Sequence, residues 1–105
     1  DLHFATSTRF HPDNARFKDF LPFWEFMAGP LNAGTGVRHQ LDDTFGATTE
    51  WASIPEGIER HLAPSEGKQY YGVIEIAAKG RQMTVRFYDA AGTELHQQII
   101  EPAGN

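Results

Sequence analysis

The sequence predicts a β-rich α+β fold in which an irregular N-terminal part, residues 1–66, precedes a C-terminal three-stranded antiparallel meander, residues 67–105, the two forming one structural unit. Three observations carry this expectation. The texture changes at Pro64-Ser65-Glu66-Gly67, with no sustained period before it and clear alternation after it. The later segment holds three β-branched or aromatic runs separated by short glycine-containing loops. With 105 residues, there is room for one core only.

The meander reads directly. Gln69 to Ala77 is β-branched and aromatic, and Gln82 to Tyr88 alternates so that Met83, Val85 and Phe87 share one face. Ala78-Lys79-Gly80-Arg81 is a loop of hairpin length. Asp89-Ala90-Ala91-Gly92 is a second, with Gly92 suited to a positive φ. Thr93 to Ile100 forms the third strand, with Leu95, Gln97 and Ile99 set against a polar face of Glu94, His96 and Gln98. Pro102 cannot donate to a ladder and ends it.

The first part is less regular. His3 to Thr6 suits a strand end, and Asp13 to Phe20 suits one or two helical turns capped by Asp13 after Pro12. Phe20 to Ala28 is dense in aromatics and reads as a strand with Phe23, Glu25 and Met27 on one face and Trp24 and Phe26 on the other; Gly29-Pro30 stops it. Residues 29–67 carry six Gly and three Pro and read as a long loop, of the kind that is functional or packed against something else.

Composition removes several functions. There is no cysteine, which excludes a disulfide framework, a thiolate metal site and cysteine catalysis within these residues. No stretch approaches the roughly 20 apolar residues that span a bilayer. A net charge of −5 with no basic run gives no surface for neutralising phosphates, so nucleic acid is not an expected partner. The first 66 residues hold ten Asp/Glu against five Lys/Arg, whereas the rest hold four of each. That acidity reads as a solvated surface. The chain opens Asp1-Leu2-His3-Phe4 without an initiator Met and reads as a processed or excised piece.

Few residues point to chemistry. The histidines His3, His11, His39, His61 and His96 include no pair at the spacing that puts two ligands on one helix face. His11, His39, His61 and His96 read as surface or structural residues. Asp1-x-His3 differs, because an acid and an imidazole two residues apart at a strand end point the same way and suit one metal ion or phosphate. Asp42-Asp43 reads as a cap or turn, Ser7, Ser53 and Ser65 as loop or cap residues, and Asn32-Ala33-Gly34-Thr35-Gly36, which lacks the lysine of a phosphate loop, as a structural turn.

Five stretches taken together resemble the C-terminal part of the alkaline phosphatase D family, the PhoD-like metallophosphoesterases. They are D-L-H-F-A from Asp1, F-H-P-D-N-A-R-F from Phe10, P-F-W-E-F-M-A-G-P-L-N-A-G-T from Pro22, L-D-D-T-F-G from Leu41 and G-K-Q-Y-Y-G from Gly67. After Thr35 the family continues with an aromatic and then glycine, whereas Gly36-Val37-Arg38-His39 stands here. The resemblance implies that the chain is a piece of a metallophosphoesterase sandwich in which the meander completes the fold. It implies that Asp1 and His3 match the aspartate and histidine of a glycine-aspartate-x-histidine metal motif, with His3 a ligand to divalent or ferric ions and Asp1 beside it. The substrate would be a phosphoester and the setting extracytoplasmic, periplasmic or secreted. Most ligands would lie in a missing N-terminal catalytic portion, the chain's principal partner, leaving this piece inactive, without bound metal, and open to self-association.

A different class of function also fits the residues. The aromatics Phe20, Phe23, Trp24 and Phe26 would mark a partner surface if exposed, making the chain a β-rich binding module without catalysis. Their apolar area favours the core instead.

Overall fold

A computed structural model describes residues 2–57 and 61–103. The architecture is two three-stranded antiparallel sheets with almost no helix. The first sheet holds β1 (Thr6–Phe10), β2 (Phe23–Met27) and β3 (Ala47–Ala52) in the order β2-β1-β3. The second is the meander of β4 (Tyr70–Ile76), β5 (Met83–Asp89) and β6 (Glu94–Ile100), with β5 central.

The meander follows from its alternation. Antiparallel partners share a face, so the pairs Met83–Ile100, Val85–Gln98 and Phe87–His96 stand together on one side of β5 and β6. Gly92 takes φ 83° in the β5–β6 turn, where Asp89 accepts from the N–H groups of Ala91 and Thr93. One expectation is corrected here. His96 lies on the inward face, its ring 5.0 Å from that of Trp51 and within 4° of parallel, whereas Leu95 and Ile99 are exposed. The reason is register: opposite Phe87 there is no outward position to occupy.

The N-terminal part is more ordered than its sequence suggests. β1 is a central strand whose Thr6, Ser7 and Thr8 are all buried, so it shows no apolar alternation. The two threonine hydroxyls are absorbed locally, Thr6 donating to the Trp51 carbonyl and lying 3.2 Å from the Thr8 hydroxyl, whereas the buried Ser7 hydroxyl has no hydrogen-bond partner among the described residues. β3 emerges from what reads as loop and pairs with β1, with an irregularity in register between Ser7 and Thr8. The helical turns expected over Asp13 to Phe20 do not form. Only Pro12–Asn14 makes a single 3-10 turn, capped by His11, whose Nδ1 accepts from the Asp13 N–H. The next donors turn away from the chain's own helix, the Arg16 and Phe17 N–H groups going to the carbonyls of Asp43 and Thr44. β2 forms as expected and separates its aromatics. Phe23 stacks on Phe10 at 4.6 Å, while Trp24 and Phe26 stack together on the opposite face.

The sheets meet through a small core. Ala5, Tyr70, Val85 and Phe87 are buried, with Phe26, Trp51 and Met83 packed against them. Hydrogen bonds reinforce the junction: Ser53 accepts the Ala5 N–H on its hydroxyl, returns its own N–H to the Ala5 carbonyl, and accepts the Tyr70 hydroxyl on its carbonyl. On the outer face of the meander, Arg86 lies between Glu75 and Glu94. The aromatics treated above as core divide accordingly. Phe26 packs on Phe87, but Phe23 is half-exposed and joins a surface cluster with Phe10, Phe17, Phe20 and Phe45.

The molecule is a plate of 47 × 36 × 17 Å with a radius of gyration of 15.1 Å. A compact chain of this length would have a radius near 13 Å. Its accessible surface of 6978 Å² also exceeds the roughly 5,900 Å² typical of a monomer of its mass. The surplus includes apolar side chains, with Leu21, Leu31 and Ile76 exposed by 86%, 76% and 68%.

Phe87→Ala should lower the unfolding free energy by about 3–5 kcal/mol in urea titrations, since it empties the contact between the sheets. Ile76→Ser should change it by less than about 0.5 kcal/mol. Burial raises the Tyr70 hydroxyl above its ordinary range, against a smaller opposing effect of its bond to Ser53. A folded-state pKa above the unfolded value of about 10 gives stability that is complete below pH 10 and lost as pH climbs through the folded-state value. Tyr70→Phe should therefore flatten the alkaline limb of the stability curve, as followed by circular dichroism.

Candidate functional site

His3 enters the fold just ahead of the buried pair Phe4 and Ala5, in a left-handed backbone conformation with φ 57°. Such a conformation costs a non-glycine residue about 1 kcal/mol and needs outside support. Two bonds supply it. The Gly36 N–H donates to the His3 carbonyl at 2.9 Å, and His3 Nδ1 lies 2.7 Å from the Gly34 carbonyl oxygen. A carbonyl oxygen only accepts, so Nδ1 carries the proton and, in the neutral ring, Nε2 carries the lone pair. A backbone carbonyl on one ring nitrogen is the usual support for a histidine that ligates or accepts protons through the other.

The approach is close enough to require glycine at position 36. A Cβ there would lie 1.9 Å from the Leu2 carbonyl oxygen. The segment Asn32 to Gly36, expected to be a structural turn, bends as far as Ala33 and then runs without regular structure over Gly34 to Gly36, where it braces His3. Thr35, fully buried, donates its N–H to the Leu62 carbonyl at 2.9 Å and receives the His61 Nδ1–H on its own carbonyl at 2.5 Å. Gln69 donates to the Ala33 carbonyl, and the Tyr70 N–H to that of Pro30, which ties the brace to the start of β4.

His3 stands on a wall shared by two hollows. One, of about 490 Å³, is mainly apolar, with Leu2, Phe4, Met27, Pro30 and Leu31 around it. The other, of about 360 Å³, brings three imidazoles together, those of His3, His39 and His61, beside Gly36 and Val37. His39 and His61, expected to be isolated, thus share a concave surface with His3, while His11 caps a turn and His96 stacks in the core.

Asp1 lies outside the described residues. Asp42 and Asp43 fall elsewhere. Asp42 accepts the Thr44 N–H, which holds its carboxyl below the ordinary range, and Asp43 pairs with Arg16 at 2.6 Å. Among the described residues no group of three or more His, Asp or Glu stands close enough to hold a metal ion. The local sequence gave no sign of the His61 contact, because its partner is a backbone carbonyl 26 residues away.

Comparison with family models, curated proteins and solved structures returns no match to this chain.

Gly36→Ala should displace Leu2 and His3 without unfolding the sheets. In ¹H–¹⁵N spectra the expected signature is large shifts confined to residues 2–5 and 33–37, with the β4–β6 resonances in place.

Proposed function

We propose that the chain is the C-terminal portion of a PhoD-like metal-dependent phosphatase or phosphodiesterase, contributing His3, with Asp1 beside it, to a two-metal phosphoester site. The observation that carries this reading is the state of His3. The histidine that matches the family's metal motif is held in left-handed backbone with its Nδ1 proton committed to Gly34. In that tautomer the Nε2 lone pair has the right character for a divalent or ferric ion, so the residue fits the group the resemblance implies. Bound cations would supply Lewis-acid polarisation of the phosphoryl oxygens and a hydroxide at neutral pH.

The chain's own contribution is orientation. His3 is fixed from both its backbone and its ring, and the hollows on either side leave room for a substrate next to it. The remaining ligands are assigned to the upstream catalytic portion, which is also the partner that the plate's surplus surface accommodates. The chain alone is not a competent phosphatase, and an extracytoplasmic setting follows from the same reading.

A second reading rests on the half-exposed cluster of Phe17, Phe23 and Phe45 with Leu21, which suits an independent β-rich binding module. The two readings diverge in solution. An orphaned piece self-associates, whereas a module is monomeric and melts cooperatively.

Assayed alone with divalent or ferric ions and a chromogenic phosphate diester, the chain should show no turnover. Supplied in trans to the upstream portion it should restore hydrolysis, and His3→Ala should remove it. Restored activity that is indifferent to His3→Ala would exclude the metal-site assignment.

A further inference from the structure

We infer that His61 is a positioning residue for His3, acting through the two peptide planes of Gly34-Thr35-Gly36. Each plane is rigid, and each is held from opposite sides. In the first, the Gly34 carbonyl accepts from the His3 ring while the Thr35 N–H donates to Leu62. In the second, the Gly36 N–H donates to the His3 carbonyl while the Thr35 carbonyl accepts the His61 Nδ1–H. Rotating either plane breaks a bond on both sides at once.

The arrangement matters because both ends of the segment are glycine. Gly34 and Gly36 lack the side chains that would restrict their torsions, so the brace does not hold itself. Thr35 is anchored by burial. Residues 61–62 supply the fixation from outside, with the Leu62 carbonyl and the His61 Cβ in contact range of a side chain built at Gly34. His61 is thus the side chain that keeps the second plane aimed at His3. Without it the Gly36 N–H loses its aim at the His3 carbonyl, and the alignment of the ring with the Gly34 carbonyl relaxes. His39 lines the same hollow but holds neither plane, which makes it the natural control.

For its consequence in catalysis the inference rests on the reading of His3 as a metal ligand, but its first measurement does not. Long-range ¹H–¹⁵N spectra of the 105-residue chain report the tautomer of each imidazole. In the unsubstituted chain His3 should give the Nδ1–H signature. His61→Ala should convert it to a mixture of both tautomers and raise the exchange rate of the Gly36 N–H at least tenfold, with the β4–β6 resonances unmoved. His61→Gln, whose amide can donate to the Thr35 carbonyl, should restore the Nδ1–H signature, and His39→Ala should leave it intact. In the reconstituted enzyme, His61→Ala should weaken metal affinity roughly tenfold, as loss of a supporting contact does. A His3 signature unchanged in His61→Ala, or lost equally in His61→Gln, would overturn the inference. These outcomes are read on the ring itself and so are separate from the result of His3→Ala in the complementation assay.

Discussion

Phe87 makes the contact on which the joining of the two sheets depends. Its ring lies 5.0 Å from Trp51 and 6.4 Å from Phe26, and both of those belong to the first sheet. Beside it the Ala5–Ser53–Tyr70 hydrogen bonds tie the end of the first sheet to the start of β4. The core this creates is small, and that explains the shape of the molecule. Val85 and Phe87 on the central strand are buried, while Ile74 and Ile76, opposite Val85 and Met83 on the edge strand β4, are exposed. A plate 17 Å through has little interior beyond this junction. Interactions that fix its loops therefore fall to backbone hydrogen bonds more than to packing.

Legibility in the sequence tracked the origin of each element's order. The meander was readable because one face of β5 is buried, so Met83, Val85 and Phe87 recur with period two. β2 was readable from its density of aromatics ahead of Gly29-Pro30, although none of its residues is fully buried. β1 was not, since a strand covered on both faces loses its alternation, and in Thr6-Ser7-Thr8 the two threonine hydroxyls meet each other and Thr6 bonds to Trp51. β3 was hidden by its composition, Ala-Thr-Thr-Glu-Trp-Ala, and takes its place by pairing with β1. His96 was assigned to the wrong face because hydropathy treats imidazole as polar, whereas its ring packs as a flat aromatic surface.

The site divides in the same way. His3 was visible through its own position and through a resemblance carried by neighbouring residues. What holds His3 was not visible, because all four brace bonds end on backbone carbonyls, those of His3, Gly34, Thr35 and Leu62, and any residue has a carbonyl. Glycine at position 36 was the one trace left in the sequence, and its meaning, a close pass of the chain at Leu2, depends on a partner 34 residues away.

The left-handed backbone of His3 separates two demands that usually coincide. The loop needs a residue that tolerates positive φ and offers a carbonyl to Gly36; the proposed metal role needs an imidazole. Asparagine or glycine would satisfy the first and fail the second, whereas a β-branched residue would fail both. The side chain and the backbone at position 3 therefore answer to separate demands. A chain with asparagine at position 3 would keep the loop and lose the proposed ligand, and its fold would carry no mark of the loss.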